Sequence, residues 1–357
     1  MFVLDSHCDT PSQIHRLRNL ALDNDHAHID FPKLKRGGVD GSFFALYIPA
    51  SLDSDPEKAF EYASCLYSDT MRCLEANQDK ARLAVSHEKA LENKAAGLFS
   101  VFLGLENGSA IGDSFERLNY FYDKGIRYIT LCHSANNQIC DSCATAVKRW
   151  GGLSPFGKEL VVRMNRMGML VDVSHISDDA FYDVLECSEA PVVATHSCCR
   201  ALSDHPRNMT DQMIKSLAES GGVIQVNFYP LFLDARFSDV LADSGLSDMG
   251  ERIETEFIAD PADLSKRKAW YSVMDSLSAL KRPDYTLIAD HIDHVVEIAG
   301  IDHVGIGSDF DGIAVTPKGL EDVSMVPKIF DELRRRGYSE SDLSKIASDN
   351  FFRCMKG

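Results

Sequence analysis

The chain has 357 residues, 45% of them hydrophobic and 25% charged, an ordinary globular mix long enough to bury a sizeable core. Its 54 acidic against 37 basic residues leave a formal charge of −17, a poor match for nucleic acid or an anionic membrane surface. No stretch approaches the ~20 apolar residues that span a bilayer, the first residues lack a basic segment leading into an apolar run, and the last carry no lipidation pattern, so the expectation is a soluble, cytoplasmic protein with no membrane anchor.

Along the chain, eight short apolar, β-rich runs recur, each followed by a polar or glycine-containing loop. They are 2–4, 42–46, 98–103, 128–131, 170–173, 191–194, 222–226 and 304–307. Segments of helical period lie between them, such as 56–77, 114–123, 156–167, 177–187 and 210–220, and several open on a helix-start residue: Asp55 before Pro56, Ser114, Ser177 and Thr210. Alternating strand and helix signals argue parallel βαβ units. Eight units at this length predict an α/β fold, a closed (β/α)8 TIM barrel, as one domain over 1–357. The long acidic stretch from 230 to about 284 reads as a helical insertion after strand 7, on the rim where barrels place their sites. Helix-like 324–335 and 341–352 complete the outer ring.

Ten cysteines are scattered through the chain and read as reduced, partly buried thiols. Cys140 and Cys143 have a CxxC spacing, but no second pair exists to complete a structural zinc site. They read as a local disulfide or as two loop thiols. The stretch from Asn136 to Thr145 that carries them suggests a lid.

Seven ionisable residues fall at the C-terminal ends of the predicted strands. His7 and Asp9 follow strand 1 at i and i+2, a spacing that puts both on one face of an extended segment. Glu106 follows strand 3, His133 strand 4, His175 strand 5, His196 strand 6 and Asp309 strand 8. Each alone reads as a polar loop residue or a helix cap. Together, four His and three carboxylates at equivalent positions of one barrel suit Zn²⁺ or a similar ion. They are too many for one tetrahedral site and fit two metals sharing a carboxylate.

These residues sit in the motifs Asp5-Ser6-His7-Cys8-Asp9-Thr10, Gly104-Leu105-Glu106-Asn107-Gly108, Leu131-Cys132-His133-Ser134, Asp172-Val173-Ser174-His175, Ala194-Thr195-His196-Ser197, Arg207-Asn208 and Gly307-Ser308-Asp309-Phe310-Asp311-Gly312. In that order, and over nearly the whole chain, the sequence resembles the membrane (renal) dipeptidases, a branch of the amidohydrolase superfamily. The resemblance implies two Zn²⁺ per chain, with Mn²⁺ or Fe²⁺ as alternatives. His7 and Asp9 would bind one ion, His175 and His196 the other, and Glu106 would bridge them. A hydroxide between the metals would attack the peptide carbonyl of a small dipeptide. His133 would bind the carbonyl oxygen and steady the oxyanion, Arg207 would bind the substrate carboxylate, and Asp309 would shuttle the proton and touch the substrate. The resemblance further implies tolerance of a D-residue on the carboxyl side, and a homodimer.

Arg207 also reads as a plain surface charge, with Arg200 and Lys215 nearby. Asp311 reads as a turn cap. His205, Asn227 and Tyr229 are candidates to line the pocket, while the remaining histidines read as structural or solvated. Two rival functions stay open. One is another amidohydrolase activity, on an N-acyl amino acid, a lactone or a phosphotriester; Arg207 discriminates, because a carboxylate anchor is wasted on a neutral ester. The other is a metal-binding barrel without catalysis, which would need neither Asp309 nor His133.

Overall fold

The computed structural model describes residues 1–355. Nine strands pair in parallel: β1 (Leu4–Cys8), β2 (Gly41–Tyr47), β3 (Ala81–Leu83), β4 (Phe99–Glu106), β5 (Ile126–Thr130), β6 (Leu170–Asp172), β7 (Val193–Ser197), β8 (Val223–Val226) and β9 (Val304–Ile306). Eight run in the order β1-β2-β4-β5-β6-β7-β8-β9. The ring closes just beyond β9, where the Asp309 N–H donates to the His7 carbonyl at 3.0 Å and the Asp9 N–H to the Phe310 carbonyl at 2.9 Å. Helices cover the outside, giving the expected TIM barrel.

All eight expected strands are present, with shifted ends. The ninth, β3, pairs with residues 99–101 of β4 before β5 takes over from Leu103. Three residues, Ala-Arg-Leu, are too few to show a period of two. The four anticipated helix starts are all caps: Asp55, Ser114, Ser177 and Thr210 each accept a backbone N–H three residues on.

The barrel axis is filled from below by Leu4, Phe43, Phe102, Tyr128, Leu170, Val193 and Val223, with Phe351 and Phe352 sealing the N-terminal end. Rings interlock there, Phe43 lying 4.8 Å from Phe102 and 5.1 Å from Tyr128 between centroids. Burying each such side chain contributes about 1.5–3 kcal/mol. The last helix is not the single run expected over 341–352. It divides into Glu340–Ser344, a wider π turn at Lys345–Asp349, and Asn350–Cys354. The extra residue of the π turn rotates the following face, so that both phenylalanines enter the floor. Ser348 Oγ and Asn350 Nδ2 pin the turn to the carbonyls of Phe2 and Val304, both at 2.9 Å.

The insertion after the seventh barrel strand, β8, folds as four helices, Pro230–Leu233, Phe237–Ser244, Leu246–Ala259 and Leu264–Ser278. They share a small core of Phe237, Phe257, Trp270, Val273 and Leu277. No helix among the described residues is long and apolar enough to cross a membrane.

Gly104 faces the axis between Phe102 and Glu106, and a Cβ there would overlap the Tyr128 ring. Gly104→Ala should therefore destabilise the fold by about 1–3 kcal/mol, read from denaturant unfolding. An unchanged midpoint would refute this account of how the floor packs.

Candidate metal centre

The seven expected residues converge at the C-terminal end of the barrel. The sequence places them all after their strands, but His7 lies inside β1, Glu106 is the last residue of β4 and His196 lies inside β7. Pairing register shifts between Asp5 and Cys8 and between Ala194 and Ser197. Such irregularities re-aim side chains, so that His7 and His196 face the axis although they are three residues on from the axis-facing Leu4 and Val193. Four residues at or beside the site, Asn107, His175, Asp309 and Asp311, hold φ values of 76°, 72°, 62° and 68°. Non-glycine residues enter this left-handed region at a cost, and clusters of them mark functional sites.

Glu106 is the hub. Its Oε2 lies 3.4 Å from His7 Nε2, which is 3.5 Å from Asp9 Oδ2. Its Oε1 lies 3.2 Å from His175 Nε2 and 3.4 Å from His196 Nε2, and these two nitrogens are 2.9 Å apart. Two ligand atoms on one tetrahedral zinc stand about 3.3 Å apart, since Zn–N is ~2.0–2.1 Å. The separations on both sides of Glu106 bracket that figure. His133 Nε2 is 3.9 Å from Oε1, further out, and Asp309 groups with His7 and Asp9.

The electrostatics match a site built for cations. Burial, then Arg207 and neighbouring histidines, hold His175 well below its ordinary pKa, and burial, then His7 and Arg207, do the same to His196. Both are thus neutral imidazoles, the form that binds metal. Burial would lower His7 too, but Glu106 and Asp9 outweigh it and push His7 well above its usual value. Burial, then Glu106, raises Asp9 to about 7; burial, then Asp9, raises Asp309 to about 7. His7 Nε2 and Asp9 Oδ1 are buried without a hydrogen-bond partner among the described residues. Orphaned donor atoms of this kind call for a ligand, and His nitrogens with carboxylate oxygens suit Zn²⁺, Mn²⁺ or Fe²⁺.

Above the centre opens a cavity of about 530 Å³. Its wall carries Arg207, His133, Asp309 and Tyr229, with Glu254 and Ile258 of the insertion helix Leu246–Ala259. Arg207 is 6% exposed, so it is no surface charge. Its Nη1 donates to Ser197 Oγ and its Nη2 to the His196 carbonyl, both at 2.9 Å. Its Nε is buried without a partner, and among the described residues no carboxylate pairs with it. Asn227 Nδ2 donates to Asp309 Oδ2 at 2.9 Å, which fixes that carboxylate. His205 lines the cavity as expected. Asp311 instead accepts from Thr10 and Arg18, locking the loop after β9 to the segment after β1.

The segment from Asn136 to Thr145 supplies Cys143 and Ala144 to the wall. It is tied down by Asp141, whose carboxylate accepts the N–H groups of Arg149, Trp150, Gly151 and Gly152. Cys140 and Cys143 are free thiols. The sequence reading passed over Asp172, Thr195 and Tyr128, which lie directly beneath the histidines: Tyr128 Oη is 2.8 Å from His7 Nδ1. The available signal was an aspartate between Val171 and Val173 in a fully buried strand.

Against known proteins, a family model described as membrane dipeptidase (peptidase family M19) matches residues 1–357. A Schizosaccharomyces pombe protein named as an uncharacterized dipeptidase is 30% identical, with 99% of this chain and 80% of that protein covered. Among solved structures, the probable dipeptidase PvdM of Pseudomonas aeruginosa superposes with a TM-score of 0.84 at 26% identity, covering 99% of this chain and 94% of that one. A metallo peptidase of Rhodobacter sphaeroides, liganded with a phosphinate mimic of the dipeptide L-Ala-D-Ala, superposes with a TM-score of 0.78 at 25% identity, covering 100% and 99%.

The raised Asp309 carboxyl has a consequence for the metal-stripped protein. Its pKa of about 7 in the fold exceeds the ~3.9 of an unfolded chain. The folded state thus binds the proton more tightly, and the group's contribution to stability falls as pH rises from about 4 to 7. Asp309→Asn removes that dependence. The variant should gain on the wild type across this interval, by on the order of a few kcal/mol at the upper end, in paired denaturant titrations of chelated protein. A constant difference would show that the carboxyl is not perturbed.

Proposed function

This chain belongs to the membrane dipeptidase family of metallopeptidases, peptidase family M19, and on that premise we propose that it hydrolyses short dipeptides with two Zn²⁺ held by His7, Asp9, Glu106, His175 and His196. The observation that carries the reading is the division of the Glu106 carboxylate, one oxygen facing His7, which in turn touches Asp9, and the other facing His175 and His196. Mn²⁺ or Fe²⁺ would suit the same donors. Bound there, a metal pair makes a water acidic enough to ionise near neutral pH and polarises the scissile carbonyl.

The protein's own groups do the rest. Asp309, held by Asn227 and with a pKa of about 7, takes the proton of the attacking water and passes it to the leaving amine. His133 is kept neutral, its pKa pushed down to about 3 by burial and then by Arg207, and it donates one hydrogen bond to the carbonyl oxygen as charge builds there. Arg207 is a buried cation with no acid beside it, an arrangement that is costly until an anion arrives. The carboxylate of the substrate supplies that charge, which favours a dipeptide over a neutral ester or lactone. The cavity of about 530 Å³, walled on one side by the insertion, suits a substrate of two residues. Binding of a phosphinate mimic of L-Ala-D-Ala by the similar Rhodobacter sphaeroides peptidase supports acceptance of a D-residue on the carboxyl side.

The test is a panel of dipeptides with L- or D-residues at the carboxyl end, assayed before and after chelation with metal content measured. Hydrolysis of L-L and L-D members that stops on chelation and returns with Zn²⁺ is expected; no turnover by protein holding two ions per chain would sink the reading. Arg207→Ala should raise KM by about 10- to 100-fold, the loss of a charge-assisted hydrogen-bond pair, with metal content unchanged. Metal loss, or an unaltered KM, would count against Arg207 as the carboxylate anchor.

A further inference from the structure

Beneath the metal-ligating atoms lies a carboxylate that the reaction does not touch. Asp172 ends β6 and is fully buried. Four donors converge on it. Its Oδ1 accepts the backbone N–H of Ser174 at 3.0 Å and of Thr195 at 2.9 Å. Its Oδ2 accepts the hydroxyls of Thr130 at 2.5 Å and Thr195 at 2.7 Å.

This arrangement settles where hydrogens sit one layer higher. With two donors on each of its oxygens the carboxylate group acts as the acceptor throughout, so the single hydroxyl proton of Thr195 points at Asp172. The Thr195 oxygen then has only lone pairs for its other neighbour, His196 Nδ1, at 2.8 Å. Two lone pairs do not make a contact of that length, so Nδ1 carries a hydrogen and donates it. In a neutral imidazole the other nitrogen is then bare. That nitrogen, Nε2, is the one 3.4 Å from Glu106 Oε1 and 2.9 Å from His175 Nε2, so in the metal-free protein the hydrogen of that contact belongs to His175.

We propose that Asp172, acting through the Thr195 hydroxyl, is a positioning residue that fixes the Nδ1–H isomer of His196 and so presents a free Nε2 lone pair to the metal. Metal-binding histidines commonly donate straight to a carboxylate or a carbonyl; here a threonine is interposed. The interposition lets one acid serve both halves of the centre. The Thr195 oxygen also lies 3.5 Å from Nδ1 of His7, whose nearer partner is the Tyr128 hydroxyl at 2.8 Å. The inference rests on the dizinc reading for which atoms bind metal, while the placement of the hydrogen stands on the bonds to Asp172 alone.

The experiment compares wild type, Thr195→Ser and Thr195→Val. Imidazole ¹⁵N NMR on the chelated proteins reads the isomer, and competition with a chromophoric chelator reads zinc affinity. Wild type and Thr195→Ser should show His196 protonated at Nδ1. Thr195→Val keeps the shape without the hydroxyl, and it should show mixed isomers with zinc affinity down by about 10- to 100-fold. An Nε2–H isomer in the wild type, or wild-type zinc affinity in a folded Thr195→Val, overturns the proposal. If Thr195→Val does not fold, the isomer in wild type and Thr195→Ser decides it. Absence of dipeptide hydrolysis with His196 still protonated at Nδ1 would strike the proposed function and leave this inference intact.

Discussion

Everything at the catalytic end of this barrel depends on a crowd of buried charge. Asp9, His7, Glu106, His175 and His196 are linked by contacts of 2.9–3.5 Å that centre on Glu106, all but His175 with at most 4% of the residue exposed. Two carboxylates and three imidazoles so placed do not balance one another. Against its own burial, His7 is pushed up by Glu106 and Asp9, while burial holds its neighbours His175 and His196 down. A bound metal ion, as a metallopeptidase family implies, would resolve the imbalance, because a cation lets a carboxylate stay ionised and an imidazole offer a lone pair. Hydrophobic burial lower in the barrel supplies the stability against which such a cluster can be held, in line with the general finding that strained or poorly solvated groups persist where the surrounding fold fixes them.

The barrel scaffold also explains why the separate parts of the site cooperate. Glu106 comes from β4, His175 from beyond β6, His196 from β7 and Asp309 from beyond β9. Each is aimed by its own strand, yet the strands share hydrogen bonds. Arg207 illustrates the economy of this arrangement. Its guanidinium rests on the carbonyl of His196 and the hydroxyl of Ser197, so the group proposed to read the substrate is fastened to a strand that carries a histidine of the candidate metal centre.

Much of this was legible in the sequence. The eight apolar runs located the barrel strands, because strands buried on both faces read as short continuous apolar segments. The His and acid positions were legible because a parallel barrel gathers all its strand ends at one rim. What escaped was set by contacts between distant segments. No local pattern in Lys345–Asp349 announces a π turn, which answers to the floor that Phe351 and Phe352 must fill. No pattern shows that Thr195 stands over Asp172, since that depends on the register of β6 against β7. Arg207 was ambiguous for the same reason: its burial comes from the fold and not from its neighbours in the chain.

The closure of the ring ties the centre to contacts that are remote in sequence. His7 lies in β1 and Asp9 just beyond it, but the groups that lock that strand come from far along the sequence. Asp5 takes the Ser308 N–H at 2.8 Å and its hydroxyl at 2.6 Å, and the floor beneath waits for Phe351 and Phe352. The residues proposed to bind metal are therefore gathered only once segments 303 residues apart have met. On the proposed reading, the fold would present a complete set of ligands only once the ring has closed.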